Sequence, residues 1–596
     1  MRWPKPLKTP LGAALLSAIF PGVGQAAAGQ RSRGAIVAIP MLAVLGAFLA
    51  ILIFSRSSLF GLAVDQQWLT SLLILDLVAF IYHLWAIVDA YMTASKLQPR
   101  RRRGAPPTTK WAAILGICAI LSGTVFVHAA VAKVDSDWQH ALYCLTADVP
   151  CWVTDNPEAS FVPEPTDIAQ GPNTPSPDAL GSTVAATPIP TYDLSKIATF
   201  STTTDSQNWD ADGELNVLLL GIGVQLDQSQ LGPDTIMVAH VGINTGQAEL
   251  ISIGRNNYCT PLPTQEIAAH YPHPPYNCPP GTWGPLLNGL PNEILHNCAA
   301  WPIPEFQSTC GQANDTNRYK RAYKGFEMTI GNLLGIHIDG SMWINPVGLT
   351  TLIDAVQGVT IDVTTKLYDN PCGPSGTPQQ TIGAKMNAPK SICVDTTHWG
   401  YFVPTGPAGV QRMKDLAAGS GGGLTVSQVP GHPYDVAFVI MPGTYRMNGD
   451  WALAYARTRT FDPAPYEYVR QGRQQKLLAS LRKTLDPCKF ASVGNVLPLL
   501  SAVQAVPYGF NGDMDITNPD NLKRWASIAK GILGDNIKQL VLDPQLLGMG
   551  PKDTYVTWDP TTTIPKAQAL VKENFQKVPT SSAGASAGAG SGGSGC

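Results

Sequence analysis

The sequence has little charge: only 14% of its 596 residues are Asp, Glu, Lys or Arg. Neither sign prevails, since 41 Lys and Arg meet 43 Asp and Glu, and this excludes a globally basic nucleic-acid binder. No CxxC pair accompanies His270 and His273 beside Cys278, so a zinc site there is disfavoured. The chain opens without a short apolar core followed by a small-residue cleavage site, and none of its apolar runs reads as a cleavable leader. Aromatic residues are not lacking: 14 Trp, 18 Tyr and 16 Phe can fill a core, which excludes a wholly disordered chain. Fifty Pro and 56 Gly imply long loops or linkers, and the length suits two to four domains.

The apolar residues are concentrated at the front. Runs at about 34–54, 69–92 and 111–132 each approach the roughly 20 residues that cross a bilayer as a helix, so residues 1–132 are expected to form a multi-pass, three-helix region in the cell membrane. Arg100, Arg101, Arg102 and Arg103, with Lys96 and Lys110, lie between the second and third runs. The positive-inside rule puts that loop, Arg31, Arg33 and the N-terminus in the cytoplasm, and everything after residue 132 outside. The stretch 11–28 is broken by Pro21, Gly22 and Gly24 and reads as an interfacial or re-entrant helix, a fourth span being the alternative. Together with Gly29 and Gly34, residues 15–25 resemble the start of small TM2-like membrane modules. Asp76, His83 and Asp89 fall within the second run, where ionisable groups are costly: they either pack against a neighbouring helix or serve a transport role.

Of 11 Cys, Cys118 lies in the third run and the other ten fall on the external side, where disulfides are permitted. Sequential pairs Cys144–Cys151, Cys259–Cys278, Cys298–Cys310 and Cys372–Cys393 are plausible, with Cys488 and Cys596 left over, but spacing does not fix connectivity. Residues 133–211 read as an external stalk and Pro/Thr/Ser-rich linker, 212–577 as a globular ectodomain and 578–596 as a disordered Ser/Ala/Gly tail.

In the ectodomain, the apolar runs 216–221, 236–241 and 249–253 read as strands, the first buried on both faces. Residues 323–334 have helical spacing, 342–344 and 359–363 read as strands around a helix, and 470–485 read as an amphipathic helix with Leu477, Leu478, Leu481 and Leu485 on one stripe. Strands alternating with helices predict an α/β/α sandwich with a central mixed sheet.

Certain motifs narrow this further. They are Leu219-Leu220-Gly221, Asp234-Thr235, Ser252-Ile253-Gly254-Arg255, the segment Asp354 to Val359, and a late block from Asn448-Gly449 through Tyr455, Arg457 and Arg459 to Arg470, Arg473, Gln474 and Gln475. Their order resembles the LytR-CpsA-Psr family of cell-envelope transferases, over about residues 216–485. The resemblance implies an enzyme that moves an anionic glycopolymer from a polyprenyl diphosphate carrier to peptidoglycan or another envelope polymer, with Mg²⁺ assisting and no nucleic acid involved. It assigns Asp234 to the metal and makes Asp234, Arg255, Arg457 and Arg459 catalytic, with Arg255, Arg470, Arg473 and Gln474 binding substrate. Guanidinium groups suit this work because they grip phosphate oxygens bidentately and stay charged. On a helix, Arg470, Arg473 and Gln474 share one face. Glu467 stands where the family has an Asp and is expected to orient an Arg. An apolar tunnel for the carrier would draw on Ile330, Leu333, Leu334, Met342, Ile344, Leu349 and Leu352, each of which reads equally as ordinary core. Arg318, Lys320, Arg321 and Lys324 are a solvated helix face or a cation supply for the carrier.

The sequence departs from the family at Gly223, usually Asp, at Gly232, usually Arg, and at Asn256, usually Asp. Asp227 is a substitute carboxylate. These departures keep a second reading open: an ectodomain of the same fold that has lost catalysis and binds polyprenyl phosphate or envelope glycan as a scaffold.

Overall fold

The structure is a computed structural model that describes residues 9–54, 66–97, 107–151, 213–222, 232–242, 247–312, 315, 317–369, 406–428, 436–458, 466–484, 509–514, 537–550 and 555–576. Arg459, Gly223, Asp227, Cys372, Cys393, Cys488 and Cys596 lie outside the described residues, as do the linker beyond residue 151 and the tail. Two compact units emerge, Met1–Leu142 with Ile516–Ala526, and Tyr143–Asp515 with Ser527–Cys596.

In the first unit, two helices among the described residues are long and apolar enough to cross a membrane: Gln66–Lys96, and Ala113–Leu145 within the longer helix Pro107–Thr146. Three were expected. Helix Arg31–Phe54 forms where the first span is read, around an internal Pro40. The stretch 11–28 folds as helix Pro10–Ile19, a break, and helix Val23–Ala27. Ten residues rise only about 15 Å, half a bilayer core. Gly22 makes the break: its φ is +95°, and a Cβ there would lie 2.3 Å from the Gly34 carbonyl oxygen.

The second unit is built on strands β1 (Glu214–Ile222), β2 (Pro233–Gly242), β3 (Ala248–Ile253), β4 (Thr260–Pro261), β5 (Thr282–Trp283), β6 (Gly340–Ile344), β7 (Val359–Val363), β8 (Leu367–Asp369), β9 (Leu424–Gln428), β10 (Val436–Ile440), β11 (Gly443–Met447), β12 (Phe510–Gly512) and β13 (Ile537–Leu542). Six of them form a sheet in the order β12-β6-β1-β2-β3-β13. It is mixed: β1 runs parallel to β6 and β3 to β13, whereas β1–β2, β2–β3 and β6–β12 are antiparallel. Alternation along the strands divides its two faces. Leu218, Leu220, Ile236, Val238, Ile251 and Ile253 join a core with Tyr323, Phe326, Ile330 and Leu333 of helix Arg318–Leu334. On the opposite face, Ser252 meets Gln475 of helix Tyr466–Thr484. A second core gathers β7, β10 and β11 with helices Pro346–Ala355 and Gly449–Arg457 and with Leu477 and Leu481 of helix Tyr466–Thr484. That last helix is not amphipathic in the expected way: Glu467, Arg470, Gln471, Arg473, Gln474 and Gln475 are all buried in its first turns.

The pairs Cys144–Cys151, Cys259–Cys278 and Cys298–Cys310 are disulfides. The Arg318 to Lys324 group is neither a bare solvated face nor a free cation supply. Arg321 is buried on Asp315, while Lys320 pairs with Asp148 and Lys324 with Glu327.

Glu249 of β3 generates a pH dependence. It sits opposite His240 of β2, is buried, and accepts a hydrogen bond from Asn574. Burial pushes its carboxyl up from 4.5 to about 7. The folded state therefore keeps a proton that the unfolded chain has lost between those values, so this group's contribution to stability falls as pH rises from about 4.5 to about 7. Thermal melts of the full chain should show that decline, worth ~2–3 kcal/mol. Glu249→Gln should flatten it, and an unchanged slope would refute the assignment.

Candidate functional site

The site starts from strand register. Ile236 of β2 pairs with Ile253 of β3 at the end of their antiparallel ladder; Asp234 lies two residues before the one and Arg255 two residues after the other, in the turn that follows β3. The two side chains form an ion pair. The first turn of helix Tyr466–Thr484 then adds Glu467 and Arg470. Arg470 Nη2 donates to Glu467 Oε1 at 2.7 Å and to the Asp234 carbonyl oxygen at 2.9 Å. Arg255 Nε lies 3.9 Å from Glu467 Oε2 and, although buried, makes no hydrogen bond among the described residues. Two acids and two guanidinium groups from three stretches of chain thus alternate in one cluster.

The members differ in access. The Arg470 side chain is only 1% exposed and Glu467 5%, whereas Asp234 is 22% and Arg255 16% exposed. Only Asp234 and Arg255 can meet a ligand from solvent; Glu467 and Arg470 hold them in place from behind. Beneath them, Tyr468 donates its hydroxyl proton to Asn257 Oδ1 at 2.8 Å, and both groups accept from the Val556 N–H. Burial pushes the Tyr468 hydroxyl far up, so it remains a donor. Gly254, just before Arg255, has no room for a side chain: a Cβ would lie 2.4 Å from Asn257 Oδ1.

The other expected site residues are placed differently. Arg473 donates from Nε to the Tyr455 carbonyl at 3.0 Å and from Nη2 to the Thr458 carbonyl, and Gln474 donates to the Ala456 carbonyl at 3.3 Å. These acceptors are the open carbonyls at the end of helix Gly449–Arg457, so Arg473 and Gln474 cap that helix instead of joining Asp234. Arg457 is the last residue of the same helix, not part of an extended stretch. Gln475 was not anticipated: its Nε2 donates to the carbonyls of Leu250 and Leu540, both at 3.0 Å, and to Ser252 Oγ at 2.8 Å, pinning the helix across β3 and β13. Nor were Asn257 and Tyr468, whose one signal in the sequence is polarity at positions that the helix and turn must bury.

Five of the seven apolar candidates divide between the two cores, and Met342 and Ile344 are part-buried in β6. Ile330, Leu333 and Leu334 are fully packed in the first core, while Leu349 and Leu352 pack against the second. A cavity of about 440 Å³ is lined by Arg412, Asp415, Arg446, Asn448 and Trp451, away from every expected site residue.

Arg470→Ala would take from buried Glu467 its closest cation and leave Arg255 Nε at 3.9 Å, and breaking a buried pair in this way costs about 3–5 kcal/mol. We expect a clear drop in melting temperature that Glu467→Gln in the same chain partly restores. No drop, or no rescue, would show that the pair does not hold the site.

Residues 312–564 match the model of the LytR_cpsA_psr family. The match includes Arg457, Glu467 and Arg470 and begins after Asp234 and Arg255. Biofilm regulatory protein A of Streptococcus mutans is 25% identical over 176 residues, covering 30% of this chain and 28% of its own length. The chain therefore spans under a third of that relative. Among solved structures, gbs0355 of Streptococcus agalactiae is 16% identical, covering 61% of this chain and 89% of its own, with a TM-score of 0.34. TagV of B. subtilis is also 16% identical, with 61% and 98% covered and a TM-score of 0.32. YwtF (TagT) with bound octaprenyl pyrophosphate lipid is 14% identical, with 61% and 90% covered and a TM-score of 0.28. The chain carries a LytR_cpsA_psr family domain over residues 312–564.

Proposed function

We propose that the ectodomain transfers a glycopolymer from a polyprenyl diphosphate carrier to peptidoglycan or another envelope polymer on the outer side of the membrane. The observation that carries this reading is the meeting of Asp234, Arg255, Glu467 and Arg470 in one cluster, within a chain that carries the family domain. Arg255 is the diphosphate contact: it is part-exposed, and its Nε is buried without a hydrogen bond. Arg470 is a positioning residue, since its guanidinium is sealed behind the Asp234 backbone.

In the proposed step, an acceptor hydroxyl oxygen attacks the glycopolymer-side phosphorus. The bond from that phosphorus to the bridging oxygen breaks, and polyprenyl phosphate leaves with the bridging oxygen. Asp234 takes the hydroxyl proton. For this its carboxylate must give up Arg255, and an arriving diphosphate, with its greater negative charge, competes for the same guanidinium. Arg255 then spreads the charge that builds on the leaving group. Among the described residues of this cluster, Asp234 alone offers a part-exposed carboxylate to Mg²⁺, a donor set that fits a cation taking its remaining oxygens from phosphate and water. When bound, Mg²⁺ would supply further neutralisation of phosphate charge.

The scaffold reading has one observation in its favour: as it stands, the cluster is electrically closed, with Asp234 occupied by Arg255. The three disulfides support an oxidising, extracytoplasmic ectodomain and the two apolar helices support a membrane anchor; a cytoplasmic N-terminus requires helix Arg31–Phe54 to cross as a third span.

Full-length protein given a polyprenyl diphosphate-linked oligosaccharide and a glycan acceptor should release polyprenyl phosphate. Arg255→Ala should slow turnover about 10²–10³-fold. Its melting temperature should fall much less than that of Arg470→Ala. Asp234→Asn should also abolish turnover while retaining lipid binding. Retained lipid with no turnover in the unmodified protein would establish the scaffold instead. A second expectation concerns Gly232, where an added Cβ meets nothing nearer than 3.8 Å. Gly232→Arg should fold normally and bind the carrier more tightly, and unchanged binding would place the diphosphate elsewhere.

A further inference from the structure

The first unit holds a group of ionisable side chains that glycopolymer transfer does not use. His128, on helix Pro107–Thr146, places Nδ1 2.8 Å from Asp76 Oδ1 on helix Gln66–Lys96. Its Nε2 lies 3.4 Å from Nδ1 of His83, two turns further along the same helix as Asp76. Nε2 of His83 lies 3.0 Å from the carbonyl oxygen of Ser17 on helix Pro10–Ile19. The carboxyl and the His128 ring are 20% and 14% exposed, and Phe80 packs on that ring with centroids 5.2 Å apart. Leu75, Leu77, Val78 and Ile81 turn outward on the same stretch of helix, as lipid-facing residues do.

These contacts fix where the protons sit. A carbonyl oxygen only accepts, so His83 carries its proton on Nε2 and offers the bare Nδ1 to His128. His128 must then hold a proton on Nε2. Its Nδ1 faces a carboxyl oxygen, and that contact is a hydrogen bond only if one more proton lies between them, on the imidazole or on the acid. With it, all three contacts are satisfied and the group is neutral, the state that a low-dielectric setting favours. Without it, a lone pair faces the carboxylate, or His128 turns its proton to Asp76 and loses His83. A further proton on His83 Nδ1 would set two N–H groups against each other. Neighbouring elements add little that competes. Helix Pro10–Ile19 has no titratable side chain. Asp135, two turns beyond His128, lies near enough to Asp76 to feel its charge and accepts from Gln139 at 3.0 Å. Asp89, towards the far end of helix Gln66–Lys96, is taken by Arg33 and Gln25.

We propose that Asp76, His128 and His83 form a proton-binding site in the membrane region, holding one exchangeable proton between the Asp76 carboxylate and His128 Nδ1. Its loss breaks a contact between helices Gln66–Lys96 and Pro107–Thr146, so proton occupancy sets how those helices pack. Among the described residues the chain of contacts runs from His83 to the Ser17 carbonyl, which cannot pass a proton on, so the proposed site binds a proton and does not conduct it. This inference is independent of the ectodomain's chemistry.

The test is nitrogen-15 NMR of histidine-labelled full-length protein in lipid bilayers, with infrared detection of the Asp76 carboxyl. We expect His83 as the Nε2–H tautomer, His128 protonated on Nε2, and one shared proton leaving in a single step. Asp76→Asn should weaken proton binding at His128 by at least about tenfold, and Asp76→Glu should restore it. His83 found as the Nδ1–H tautomer in the unmodified protein would overturn the proposal even if no variant folds. So would two rings titrating independently of residue 76. In vesicles with a pH gradient the unmodified protein should add no proton leak, and a leak removed by Asp76→Asn would replace binding with conduction.

Discussion

Arg470 carries a charge into a place with almost no solvent, and the arrangement of the ectodomain site follows from what that charge requires. A guanidinium at 1% exposure must find acceptors nearby or lose several kcal/mol. It finds Glu467 one turn back on its own helix and the backbone carbonyl of Asp234 on β2. The first contact fixes the Glu467 carboxylate beside Arg255, and the second fixes the strand that carries Asp234. The ends of β2 and β3 and the helix N-terminus are thereby locked in one geometry, and the two groups of the cluster that solvent can reach, Asp234 and Arg255, inherit their positions from two that it cannot. Gln475, bridging β3 to β13 on the same helix, secures the position one turn further on.

This separation into reachable and buried charges changes how the arginine-rich block is understood. Arg470, Arg473 and Gln474 share a helix face, as their spacing requires, but sharing a face does not decide what lies opposite it. Opposite Arg473 and Gln474 lies the C-terminal end of helix Gly449–Arg457, whose last carbonyls accept from them. Capping absorbs both side chains. Their connection to the cluster is therefore indirect: they hold the end of the helix on which Arg457 sits, while Arg255 and Asp234 are the members of the cluster that solvent reaches.

Much of this was legible in the sequence, and the rest was hidden for identifiable reasons. Strands β1, β2 and β3 announce themselves as apolar runs and β7 by alternation, because they are buried on both faces or on one, and the meeting of Asp234 with Arg255 was expected only from the family resemblance. Cysteine spacing allowed the three described disulfides without selecting them. The burial of Glu467 through Gln475 was not legible, since a run of polar residues reads as a wet helix until its acceptors are known. Those acceptors lie from 15 to 236 residues away, at Thr458 and Asp234. The apolar candidates failed differently. Hydrophobicity says that Leu333 and Leu352 are inside but not that they belong to separate cores.

The two units solve one electrostatic problem in the same way. A charge withdrawn from water is tolerated when it belongs to a set whose members cancel one another and satisfy each other's hydrogen bonds. Asp234, Arg255, Glu467 and Arg470 form such a set at the ends of β2 and β3, and Asp76, His128 and His83 form one among apolar helices. A closed set resists being opened, so each can change only by taking in a ligand that replaces what is displaced. At the strand ends the proposed replacement is an anion that engages Arg255 and releases Asp234. Among the helices it is the proton itself, since no other cation small enough to sit between Asp76 and His128 leaves both rings with their contacts. The coupling of ligand entry to a rearranged charge set is therefore a property of burial, and the chemistry of each set determines which ligand it admits.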